Sequence, residues 1–209
     1  NYLPTTHTAL PQSTYLLHLP RLSLQSLSLN FAKALENCFL APSSRPDFPT
    51  DLALPKCLFL DFGALFPCLV ELSIVGTSEI PSVAPVVDFV KSLPRNLTSL
   101  GLGPLNLDED ILQHMPPALT SLFWRGSVVE GASFNAAPES FRSSLKSFRL
   151  SSVLSSSAAL VGLLASLPSQ CKDFTFSEAR WSDDWALAIP ESVENLELDI
   201  ENTQLTFRS

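Results

Sequence analysis

Charge is scarce in this chain. Only 16% of its 209 residues are Asp, Glu, Lys or Arg, against roughly a quarter in ordinary soluble proteins. Cations are the scarcer sign, 13 Lys and Arg against 21 Asp and Glu, for a formal net charge of −8. A nucleic-acid partner needs a basic face to neutralise phosphates, and this composition does not provide one. Long apolar runs are missing too. The nearest, Ala158 to Leu167, is short and contains Gly162 and Ser166, so no membrane span is expected.

Catalytic apparatus is equally thin. Glycine occurs seven times, and no glycine-rich phosphate loop or Walker-type lysine is present. The three histidines, His7, His18 and His114, lie far apart, and neither HExxH nor GxSxG occurs. We therefore expect no catalytic residue, no metal, no cofactor and no small-molecule substrate. The four cysteines (Cys38, Cys57, Cys68, Cys171) form no CxxC or Cys/His pattern, which reads as free buried thiols rather than a disulfide scaffold. Free thiols favour a reducing, intracellular compartment. The first residue is asparagine, which fits a segment of a longer chain.

What the sequence has in abundance is a phrase: proline, two residues, then L-x-x-L-x-L. Clear copies are Pro94-Arg95-Asn96-Leu97-Thr98-Ser99-Leu100-Gly101-Leu102 and Pro116-Pro117-Ala118-Leu119-Thr120-Ser121-Leu122-Phe123-Trp124. A third runs from Pro190 to Leu198. With weaker copies, the first apolar positions are Leu24, Leu69, Leu97, Leu119, Leu145, Cys171 and Val193, separated by 45, 28, 22, 26, 26 and 22 residues. The long first gap predicts a degenerate or interrupted repeat in residues 40–66, its best strand candidate being Cys57 to Phe62. The closing L-x-L has the period-2 alternation of a half-buried strand.

Between these strands the period becomes helical. Val83, Val86, Val87 and Val90 recur at i, i+3, i+4 and i+7, as do Leu160, Leu163, Leu164 and Leu167, each set forming one apolar stripe. Phe31, Leu35, Cys38 and Phe39 form a shorter stripe. Asn106 before Asp108-Glu109-Asp110 reads as an N-cap with a capping box, and Ser182-Asp183-Asp184 opens a last helix before Trp185. Apolar-proline pairs such as Leu93-Pro94 and Leu167-Pro168 end helices. Each unit is strand, loop, helix, proline stop. Returning every 20-odd residues, it predicts a stacked-repeat solenoid over residues 1–209, about seven or eight irregular repeats in a single domain.

These copies resemble the leucine-rich repeat family, over roughly residues 19–207. The resemblance implies an α/β solenoid, a horseshoe with a parallel sheet on the concave face and helices or loops on the convex face. The family's asparagine, which ties adjacent turns together, is absent at its usual place. After Leu102 and Leu198 an asparagine follows four residues later, at Asn106 and Asn202. Cys171-Lys172-Asp173 is similar to the C-x-D nucleophile of the ubiquitin ligase domain joined to some bacterial leucine-rich effectors, but Cys171 occupies a repeat anchor and is expected to be buried and inert.

Strand alternation places Ser121, Phe123, Ser147, Arg149, Thr175 and Glu197 facing outward, with Arg125 beside them. An aromatic flanked by arginines has the composition of an interaction hot spot. The sequence is thus expected to specify a non-catalytic protein-interaction or scaffolding module, with partner contacts at Phe123, Arg125, Arg149, Ser121, Ser147, Thr175 and Glu197. Other readings are a structural subunit held permanently in a large multiprotein assembly, or the substrate-recognition arm of a multidomain enzyme such as a ubiquitin ligase.

Overall fold

A computed structural model of the chain describes residues 25–30, 62–75, 84–151, 155–177 and 183–199. Seven five-residue strands join into one sheet, every pair parallel and the strands in chain order. They are β1 Ser26–Asn30, β2 Glu71–Val75, β3 Ser99–Gly103, β4 Ser121–Arg125, β5 Ser147–Ser151, β6 Asp173–Ser177 and β7 Asn195–Asp199. The six helices among the described residues are α1 Phe62–Leu65, α2 Ala84–Lys91, α3 Glu109–Gln113, α4 Glu139–Ser144, α5 Ser157–Ala165 and α6 Asp183–Ala188, with a 3-10 turn at Phe134–Ala136.

Register aligns the repeats residue for residue. Leu72, Leu100, Leu122, Phe148, Phe174 and Leu196 stand opposite one another along one row, and Ile74, Leu102, Trp124, Leu150, Phe176 and Leu198 along the next but one. From Leu72 through Phe176 both rows are buried. Helix residues Val86, Val90, Ile111, Leu112, Phe141, Leu160, Leu163, Leu164 and Trp185 join the same hydrophobic cluster. Helices α2 to α6 therefore bury their apolar sides against one face of the sheet.

The proline phrase now has a mechanism. The carbonyl of Pro94 accepts from the amide of Leu97 (3.1 Å), and the same turn recurs as Pro116 to Leu119 (3.3 Å), Pro168 to Cys171 (2.9 Å) and Pro190 to Val193 (3.1 Å). Each turn drops the anchor residue into the core, where Leu97, Leu119 and Cys171 have no exposed surface. Burying a leucine is worth about 1.5–3 kcal/mol, whereas a backbone hydrogen bond nets about 1 kcal/mol. Anchor burial thus carries most of the energy and the turn sets its position.

A repeated backbone pattern ties adjacent coils. The Val70 carbonyl accepts from the amides of both Thr98 (2.8 Å) and Ser99 (3.1 Å). Thr98 accepts from Thr120 and Ser121, Thr120 from Lys146 and Ser147, Lys146 from Lys172 and Asp173, and Lys172 from Glu194 and Asn195. One carbonyl with two donors on every step fixes the register that a side-chain asparagine would otherwise hold. Thr98 and Thr120 add their hydroxyls, donating to Val70 O (3.3 Å) and Thr98 O (3.1 Å).

Four expectations need correction or placement. Asn106 is not the cap of α3; Asp108 is, its carboxylate accepting from the Ile111 amide at 2.9 Å. The reason is that Leu107 is still paired with Val128 in a parallel bridge, so the chain stays extended past Asn106. Phe62 belongs to α1 rather than a strand, and Cys57 to Asp61 lie outside the described residues; β1 pairs directly with β2. Cys68 is a free but exposed thiol, because the turn buries Leu69 instead. The helical stripe Phe31 to Phe39, along with Cys38, Trp181, Ser182 and Val83, lies outside the described residues.

Candidate interaction face

The outward positions of the strands form three rows on the sheet face away from helices α2 to α6. The middle row runs Ser28, Ser73, Gly101, Phe123, Arg149, Thr175, Glu197. Beside it run Ser99, Ser121, Ser147, Asp173 and Asn195 on one side, and Gly103, Arg125, Ser151 and Ser177 on the other. Small residues predominate toward β1, with one exposed carboxylate, Glu71, on β2; cations occupy β4 and β5, and carboxylates occupy β6 and β7.

The structure brings Phe123 and Arg149 together: the guanidinium carbon lies 5.3 Å from the ring centroid, over the ring. Such an arrangement is worth about 0.5–1 kcal/mol at an exposed site and restrains a side chain that would otherwise sweep through solvent. On the opposite strand Gly101 makes room for the ring. A Cβ at Gly101 would stand 3.5 Å from Phe123 Cδ1 and 3.0 Å from Ser73 Oγ. Phe123 is thus half-buried between neighbouring rungs, with Arg149 over its ring, and Arg149 is exposed.

Farther along, Thr175 donates to a Glu197 carboxylate oxygen at 3.3 Å. The Asn195 amide donates to Asp173 Oδ1 at 2.6 Å. Ser121, Ser147 and Arg125 stand half-buried on the same face at neighbouring positions. Strand alternation places Gly101 and Asp173 on this face, but the sequence did not show that Gly101 lies against Phe123 or that Asp173 pairs with Asn195. The signal for Gly101 was available, since it is the one glycine in a row that otherwise carries side chains.

The protein-family models, the curated proteins and the solved structures compared with this chain contain no match. What the chain does has to be argued from its own residues.

Away from this face, Cys171 is buried beneath the sheet, and burial pushes its thiol up to about 11, with Asp173 raising it further against a lowering hydrogen bond from the Phe148 backbone. Trp185 is buried, meets Phe176 edge-on at 5.5 Å and donates its indole N–H to Ser157 Oγ at 3.0 Å. Among the described residues no three His, Cys, Asp or Glu side chains are placed to hold a metal ion. No described helix is long and apolar enough to cross a membrane.

Proposed function

We propose that this chain is a non-catalytic protein-interaction module of leucine-rich-repeat-like, horseshoe architecture that binds a protein partner across the outward face of its parallel sheet. One observation carries the reading: a wholly parallel sheet with helices α2 to α6 packed on one side. Parallel sheets are ordinarily covered on both faces. Here the second face carries alternating polar side chains, a cation–π pair at its centre and carboxylates toward one end. That is the anatomy of a surface built to be met by another molecule, with Phe123, Arg125 and Arg149 at its centre and Ser121, Ser147, Thr175 and Glu197 around them.

Affinity capture from native extract tests it, using wild-type chain beside a Phe123→Ala/Arg149→Ala variant of unchanged thermal stability, read by mass spectrometry. A protein held by the wild type and lost by the variant is the expected result. Identical capture by both would place binding elsewhere and sink the proposal.

A second reading has an observation of its own. On the helical side, Leu187 is 85% exposed beside Ala158, Val161 and Ala165, which line an open cleft of about 500 Å³ between α5 and α6. Apolar surface of this kind suits a subunit held permanently in an assembly. A chain that stays monodisperse in isolation argues against that alternative.

A further inference from the structure

Resting on the proposed outward-face binding, we infer that Arg149 is a carboxylate receptor: the partner presents an Asp or Glu side chain to it, followed by a cation that meets Glu197. No carboxylate among the described residues pairs with Arg149, although the chain has 21 acids and the guanidinium stands one strand from Asp173. Both nearby acceptors are turned toward β7 instead. Asp173 accepts from Asn195, and the Thr175 hydroxyl, on the strand beside Arg149, donates to Glu197.

Contact with Phe123 holds the guanidinium carbon over the ring at 5.3 Å. A guanidinium carries its N–H donors in a planar fork that matches the two oxygens of a carboxylate. Gly101 lies on the other side of the ring, where an added Cβ would meet Phe123 Cδ1 at an ordinary contact distance of 3.5 Å. Since the ring restrains the guanidinium beforehand, less side-chain entropy is lost on binding than for a free arginine.

The rest of the row supplies direction. Glu197 shares the Arg149 row two strands away, roughly 10 Å at the usual strand spacing, and its carboxylate is exposed. An extended segment covers that distance in about three residues. A partner reading acid, then two or so residues, then base matches the face in one direction and meets like charge in the other, so the polarity selects orientation as well as composition. A second copy of this chain, itself acidic, is the disfavoured occupant.

Random dodecamers displayed on phage test this when selected separately on wild-type chain, Arg149→Glu and Phe123→Ala/Arg149→Ala, each first shown to melt as the wild type does. The expected wild-type pool is enriched in Asp or Glu with Lys or Arg three to four residues on. Its members should bind Arg149→Glu at least tenfold more weakly and weaken as salt is raised. The Arg149→Glu pool should exchange the acid for a base. Wild-type peptides without acid enrichment that still fail on the double variant would overturn the carboxylate assignment while leaving outward-face binding intact. Peptides that bind all three chains alike would overturn both. A wild-type selection that yields no binder counts against the carboxylate assignment.

Discussion

At Cys171 a thiol occupies the anchor position that Leu97 and Leu119 fill in other repeats, and its chemistry follows from that place. A cysteine nucleophile needs a lowered pKa and access to substrate. This thiol is buried and held at about 11, above the ordinary 9.0. Iodoacetamide at pH 8 should therefore modify Cys68 in the folded chain and leave Cys171 unmodified until denaturant unfolds it. Equal labelling of the two by peptide mapping would refute the buried-anchor account. The same shift makes stability depend on pH. The unfolded thiol ionises near 9 while the folded one holds its proton to about 11, so the contribution is complete below 9 and is lost between 9 and 11, at up to ~1.4 kcal/mol per pH unit. Urea midpoints measured across that range should fall less steeply for Cys171→Ala than for the wild type.

Within the elements, the C-terminal rungs are held by a file of aromatic rings. Phe134 meets Phe148 edge-on at 5.2 Å, Phe148 stacks on Phe174 at 5.8 Å, Phe174 on Phe176 at 6.1 Å, and Phe176 meets Trp185. Phe148 stands between the 3-10 turn and β6 and is fully buried. Phe148→Ala should cost about 3–5 kcal/mol by chemical denaturation, with near-UV circular dichroism reporting the loosened rings. A loss below about 1 kcal/mol would mean that the file is not what couples these rungs. At this scale the sequence was readable wherever spacing carried the information. The offset from Pro94 to Leu97 announced a turn and a buried anchor, and the valines at 86 and 90 announced a helix side. The start of α3 was not readable, because the Leu107–Val128 bridge that delays it joins residues of different repeats.

Over the whole molecule, interior strands are hydrogen-bonded on both sides, while β1 and β7 each have a single strand partner among the described residues. At the β7 end, Leu196 is 47% exposed where its counterparts Leu122 and Phe148 are fully buried. Native-state hydrogen exchange should accordingly protect the amides of Ser121, Ser147 and Asp173 most strongly, with protection falling toward Asn195. Uniform protection from β2 to β7 would contradict a stack in which each rung is stabilised by its immediate neighbours.

The sequence by itself determined the strands, most helices and which leucines go inside, because alternation, helical spacing and the proline turn act within one repeat and need no other part of the chain. Tertiary structure alone decided how the repeats meet. The paired amide bonds to Val70, Thr98, Thr120, Lys146 and Lys172 come from backbone groups that every residue possesses, so no residue type announces them. The meeting of Phe123 with Arg149, and the turning of Asp173 and Thr175 toward β7, likewise follow from register between strands some 22 to 26 residues apart. A linear pattern lists the side chains of a face; only stacking sets which of them touch and which remain available to a partner.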